Sequence, residues 1–153
     1  MIDFYVDSSA LIKRYVTETG SQWIETIINP DTGNLCVTSR MTMVEVFSAL
    51  NRRRREGNLP HNNYQVALKS FLFDCHNQYQ FNELTLDLMK ISQVLLENHP
   101  LKAIDAVQLA SSIVANKVLL NSNLPSLKFV SADERLNAAA LAEGFNIENP
   151  NHH

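Results

Sequence analysis

Short strand-like runs alternate with longer helical stretches along nearly the whole chain, and this alternation restricts the fold more than any other feature. Residues 2–7, Ile2-Asp3-Phe4-Tyr5-Val6-Asp7, are aromatic and β-branched and read as a strand. Ser8 and Ser9 follow as N-cap candidates for a helix over residues 10–16. Apolar residues at 23, 24, 27 and 28 have helical spacing, and the Asn-Pro-Asp-Thr-Gly-Asn cluster at 29–34 is a turn. Residues 35–38 read as a second strand and 41–56 as a helix closed by Gly57. A helix opened by Pro60 runs to about residue 76, a third strand spans 79–84, and a helix over 86–98 stops at His99-Pro100. An apolar helix over 102–116, a strand over 128–131, a helix over 133–143 and a last strand over 145–147 complete the order. Strands separated by helices imply parallel pairing with both sheet faces covered, a three-layer α/β/α domain.

The chain has 153 residues, which suits a single domain over residues 1–150, with 151–153 set aside as a tail or tag remnant. With 45% hydrophobic residues and a net charge of -3, it has the composition of a globular protein and is not a broadly basic nucleic-acid coat. Charge distribution matters more than the total, so a local basic rim remains compatible. Cys36 and Cys75 lack C-x-x-C spacing and read as reduced structural thiols. The first seven residues hold Asp3 and Asp7 and no basic segment, unlike a signal peptide. No apolar run is expected to reach the ~20 residues of a membrane span. These features suggest a cytoplasmic protein.

Four acids stand out by position. Asp7 ends the first strand, and Asp133 follows the strand over 128–131. Glu45 leaves an apolar stretch one helical turn after a strand, and Asp105 opens an almost uniformly apolar helix on a thin polar stripe with Gln108 and Ser112. Each alone has an ordinary explanation as a cap, a capping-box partner (Thr42 with Glu45, Ser131 with Glu134) or a first-turn charge. Together they share one address. In a parallel sheet the βα junctions all lie at the carboxyl edge, where such folds bind ligands. Carboxylates gathered there repel one another unless a cation intervenes. Oxygen donors favour Mg²⁺ or Mn²⁺, with a phosphate completing the coordination. Such a site activates water and neutralises charge on a phosphodiester. From the residues alone, this is metal-dependent phosphoryl chemistry.

At these positions the sequence resembles the PIN-domain nucleases, specifically the VapC-type toxins of toxin–antitoxin pairs. Four blocks in order carry the resemblance: Tyr5-Val6-Asp7-Ser8-Ser9-Ala10-Leu11; Thr38-Ser39-Arg40-Met41-Thr42-Met43-Val44-Glu45; Leu101-Lys102-Ala103-Ile104-Asp105-Ala106-Val107-Gln108-Leu109-Ala110; and Phe129-Val130-Ser131-Ala132-Asp133-Glu134-Arg135-Leu136. The resemblance implies a PIN fold with a central five-stranded parallel sheet. It further implies Mg²⁺- or Mn²⁺-dependent endoribonuclease activity, a cognate antitoxin that inhibits it, and a homodimer. It assigns the acidic quartet to Asp7, Glu45, Asp105 and Asp133, with Asp7 and Asp105 as direct metal ligands. Asp133 would bind the metal or position the attacking water, and Glu45 would share the metal or move a proton.

The run Arg52-Arg53-Arg54-Arg55 suits the cation-favouring end of a helix, or alternatively a rim that meets phosphates or an acidic partner. Arg40, Lys102, Lys13 and Arg14 are further candidates for phosphate or partner contact. Trp23, Phe71 and Phe73 read as core or groove residues, and the histidines carry no metal-type spacing. Four rivals stand beside the toxin nuclease: a PIN domain in RNA processing, a haloacid-dehalogenase-type phosphatase, a response-regulator receiver, which would need an acidic pair before its central Asp and a Lys on a late strand, and a non-catalytic interaction module. The phosphatase would need a second Asp where Ser9 stands. A module whose acids are only caps would gain no stability from metal.

Overall fold

Strand β1 (Asp3–Val6) lies at the centre of the sheet, and its alternating side chains feed two separate cores. In the computed structural model, which describes residues 1–153, Phe4 and Val6 enter one buried cluster and Tyr5 enters the other. Successive strand residues must point to opposite faces, so one strand serves both layers. The other strands are β2 (Leu35–Ser39), β3 (Gln80–Asn82), β4 (Lys128–Val130) and β5 (Asn146–Glu148). They form a five-stranded sheet in the order β3-β2-β1-β4-β5, and every pair is parallel. Tyr5 stands opposite Val37 on one side and Phe129 on the other.

Helices α1 (Ser8–Leu11), α2 (Ser21–Ile28), α3 (Met41–Arg55) and α4 (His61–Asn77) cover the Phe4/Val6 face. Their buried residues recur at helical spacing: Ile24 with Ile28, Val46 with Leu50, Ala67 with Phe71. Helices α5 (Leu86–Asn98), α6 (Ala103–Asn121) and α7 (Glu134–Ala142) cover the Tyr5 face with Leu88, Leu95, Leu109 and Leu136. The Phe129 ring stacks on Tyr5 with centroids 5.6 Å apart, and both are fully buried. Truncating such an aromatic to Ala typically costs about 3–5 kcal/mol. The architecture is the three-layer α/β/α fold with a five-stranded parallel sheet that the alternation implied.

Several details differ from the sequence reading. The cap of α1 is Asp7, not Ser8 or Ser9: its Oδ1 accepts the Ala10 N–H at 3.0 Å. After Leu11 the chain tightens into a 3-10 turn over Ile12–Arg14 instead of continuing as an α-helix to residue 16. Neither capping box forms. The Thr42 hydroxyl pairs with Thr38 at 2.8 Å, and Asp133 rather than Ser131 caps α7, accepting from the Arg135 and Leu136 N–H groups. Helix α6 runs to Asn121, beyond the expected residue 116, because Leu119 still packs against the second core.

Helix α6, 19 residues long, is apolar enough to cross a membrane by length and composition alone, with a mean hydropathy of 1.3 over its most apolar 18 residues, although Asp105, Gln108, Asn116 and Lys117 interrupt it. Its apolar residues have a different partner here. Ala106, Leu109 and Ala110 pack into the core beneath the sheet. The segment set aside as a tail is also packed. Residues Pro150–His152 form a 3-10 turn, and the His153 ring stacks on Trp23 with centroids 4.1 Å apart. Gly20, at φ 86°, lies so close to the Pro150 backbone that a Cβ would collide with it. Both cysteines are free, and burial pushes their thiols up, to about 12 for Cys36 and about 11 for Cys75.

Candidate active site

The strand order reverses at β1 and β4, and such a switch point opens a crevice at the carboxyl ends of the strands. Asp7 leaves β1 there and Asp133 follows β4, and the Asp7 N–H bonds to the Val130 carbonyl at 3.1 Å. Helices α3 and α6 then bring Glu45 and Asp105 to the same place. All four acids line one cavity of about 610 Å³.

Each carboxylate is held differently. Asp7 is buried, with Ser9 Oγ 2.8 Å from Oδ1 and Ser131 Oγ 2.8 Å from Oδ2. The two serines are cross-linked to the next strand end: the Ala132 N–H donates to Ser9 Oγ at 3.0 Å and the Asp133 N–H to Ser131 Oγ at 3.1 Å. One hydroxyl pair thus ties Asp7 to the Asp133 junction. Glu45 accepts from Ser8 Oγ at 2.8 Å and from Gln108 Nε2 at 2.6 Å. The amide of Gln108 is in turn oriented by Tyr5, whose hydroxyl donates to its Oε1 at 2.7 Å, while Nε2 also reaches Thr42 at 2.9 Å. Glu45 is therefore positioned by a buried polar network that starts on β1.

The protonation equilibria record the crowding. Burial pushes Asp7 up to about 7, with the Glu45 charge adding to the rise; hydrogen bonds from Ser131, Ala10 and Ser9 oppose it. Glu45 is raised by burial and by Asp105, and Asp105 by burial and by Asp133. The acids form a chain of mutually repelling neighbours, the situation a cation relieves. No group of three His, Cys, Asp or Glu side chains stands in metal-holding geometry. A Mg²⁺-type ion needs less, since it keeps several waters and is held by one or two carboxylates. The all-oxygen donors fit such an ion.

The basic candidates divide. Arg52, Arg53, Lys102 and Lys13 line the cavity with the acids. Arg40 does not: it pairs with Glu83 and lies over the Phe81 ring, 4.5 Å from its centroid. Arg14 turns away into a second polar cluster, bonding Asp74 at 3.0 Å and Glu25 at 3.1 Å. In the arginine run, Arg54 covers Tyr64 at 4.5 Å, on a different side of α3 from Arg52 and Arg53. Phe71 is core, whereas Phe73 is 66% exposed. Sequence reasoning missed the site roles of Ser131, Thr42 and Tyr5, and it did not single out Glu18, which also lines the cavity. A polar residue inside an apolar strand or helix was the available signal for the first three.

No protein-family profile and no curated protein sequence matches the chain. Solved structures do share its fold. A toxin–antitoxin complex from Klebsiella pneumoniae aligns over 96% of this chain and 97% of its own, at 13% identity and a TM-score of 0.56. The Mycobacterium tuberculosis toxin VapC20, described as cleaving the sarcin–ricin loop, aligns over 93% and 95%, at 18% identity and a TM-score of 0.61. A protein of Pyrobaculum aerophilum aligns over 95% and 90%, at 20% identity and a TM-score of 0.54. The fold is thus the PIN-like fold that the four-block resemblance implied.

Proposed function

We propose that the chain is a cytoplasmic, Mg²⁺- or Mn²⁺-dependent endoribonuclease of the VapC-type PIN family, acting as a toxin restrained by a cognate antitoxin. The observation that carries this reading is the meeting of Asp7, Glu45, Asp105 and Asp133 on one cavity at the carboxyl edge of the sheet. The fold-sharing proteins described as toxins, one of them as cleaving an RNA loop, support an RNA substrate.

Helix capping explains one oxygen of Asp7 and one of Asp133. It does not explain Glu45, in the body of α3; Asp105 is a first-turn charge of α6 behind the cap residue Lys102, and neither position requires both to face the same cavity as Asp7 and Asp133. A divalent ion bound at the quartet would activate water and neutralise charge developing on the phosphodiester. The side chains of Asp7 and Asp105 would hold it, with Asp133 beside them. Glu45, steadied by Gln108 and Ser8, is the group set to accept a proton. Arg52 and Lys102 face the same cavity and suit the RNA backbone. Hydrolysis should leave a 5′-phosphate and a 3′-hydroxyl.

The test is cleavage of a labelled single-stranded RNA by the purified chain with Mn²⁺, with EDTA, and as Asp7→Asn. Cleavage only in the first is expected. Equal cleavage in all three would overturn the reading.

A further inference from the structure

Glu18 belongs neither to the acidic quartet nor to a helix, yet two cations converge on it at the cavity wall. Its Oε1 accepts from Lys13 Nζ at 3.1 Å and its Oε2 from Arg53 Nη1 at 2.8 Å. Lys13 comes from the 3-10 turn after α1 and Arg53 from the last turn of α3, so the loop residue joins two separate elements. Lys13 is buried and also donates to the Thr19 carbonyl at 2.9 Å. An ammonium has three donors, so two are used and one remains. All three side chains line the cavity that holds the four acids.

The charges on this wall do not cancel. Lys13, Arg53 and Glu18 sum to one positive charge, and the neighbouring Arg52 adds a second. Lys13 is buried and its pair with Glu18 helps to anchor the loop, but Arg53 and Glu18 are both partly exposed, and such a pair contributes little to stability, so strengthening the fold is a weak reason to bring Arg53 into the triad. Holding two long cationic side chains in fixed places beside a site for an anionic strand is a stronger one. A pre-placed cation loses less side-chain entropy on binding than a free one.

We infer that Glu18 is a positioning residue that holds Lys13 and Arg53 as a paired phosphate subsite for the RNA strand beside the acidic centre. The inference rests on the nuclease reading above, and names where the backbone of that substrate would lie.

The sign of one substitution decides it. Were Glu18 merely an anion near the RNA path, removing it would tighten RNA binding. As a positioning residue, its loss weakens binding. The experiment measures KM and kcat for cleavage of a short single-stranded RNA with Mn²⁺. It also measures the salt dependence of binding the same RNA to an Asp7→Asn chain, which binds without cutting. Lys13→Met and Arg53→Met should each weaken binding about 3- to 10-fold and flatten the log–log salt slope by ~0.7. Glu18→Ala and the milder Glu18→Gln should raise KM about 3-fold or more, with kcat within about 2-fold, and Glu18→Asp should restore part of the loss.

An unchanged or lower KM in the folded Glu18 variants overturns the inference, as does a fall confined to melting temperature. If the unsubstituted chain cleaves RNA and the Glu18 variants match it, only this inference fails. If the unsubstituted chain neither cleaves nor binds RNA, the nuclease reading fails and this one with it.

Discussion

Replacing Asp7 by Asn should stabilise the metal-free protein, and by an amount that grows with pH. Asp7 is 2% exposed, and its carboxyl is pushed up from 3.8 to about 7, mainly by burial and further by Glu45. In the unfolded chain the group titrates near 3.9. Between those two values the folded protein binds more protons than the unfolded one, so stability falls as pH rises through the window. A displacement from 3.8 to about 7 corresponds to roughly 4 kcal/mol in total, lost between about pH 4 and 7. Asn removes the charge and keeps an acceptor for the Ala10 N–H, but its Nδ2 can only donate where Asp7 Oδ2 accepts from Ser131 Oγ, so that hydroxyl must turn to accept. That exchange does not vary with pH, so the pH dependence of the difference between the two proteins isolates the ionisation. At about 2–4 °C per kcal/mol for a chain of this size, the melting advantage of Asp7→Asn in EDTA should widen by roughly 5–10 °C from pH 5 to pH 8. Mg²⁺ or Mn²⁺ at pH 8 should raise the melting temperature of the unsubstituted chain and leave the variant where it was. Parallel melting curves for the two proteins in EDTA across that range would refute the buried charge, and an unsubstituted chain whose melting temperature does not respond to Mg²⁺ or Mn²⁺ would refute the metal role of Asp7.

Two further substitutions test the surroundings of the site. Gln108→Leu removes the bonds to Glu45 and Thr42 and strands the buried Tyr5 hydroxyl, which should cost about 2–4 kcal/mol in chemical denaturation and lower kcat at least several-fold. Arg40→Ala should leave RNA cleavage within about 2-fold and melting almost unchanged, because Arg40 sits in an exposed pair with Glu83 off the cavity.

Much of the fold was legible in the sequence because periodicity reports burial directly. The alternation of Phe4, Tyr5 and Val6 and the spacing of Val46 and Leu50 each have one physical solution, a strand or a helix covered by its neighbours. Boundaries were less legible, since they depend on which side chain wins a local competition. Asp7 displaces Ser8 and Ser9 as the cap because its carboxylate reaches the Ala10 N–H from the strand end. Thr42 looked like half of a capping box but spends its hydroxyl on Thr38 and Gln108, both distant or buried partners. The quartet could be named from four short blocks, each tied to a strand end or a helix start. Ser131 and Gln108 stand out as polar residues in apolar elements, but what they hold could not be read, because they reach Asp7 and Glu45 across 124 and 63 positions of chain.

What the sequence determined by itself was therefore what local chemistry and spacing can encode: the α/β layering, the parallel sheet, and which acids stand at its carboxyl edge. Tertiary structure alone decided which cations join them. Four arginines in a row cannot face one way on a helix, so α3 turns Arg52 and Arg53 to the cavity and Arg54 onto Tyr64. Arg40, two residues before Thr42 in sequence, is carried off by Glu83 and Phe81. Glu18, silent in the sequence, becomes the meeting point of two elements. A charge is drawn by whatever opposite charge or ring the folded chain places nearest, and that distance is set by packing, not by position along the chain.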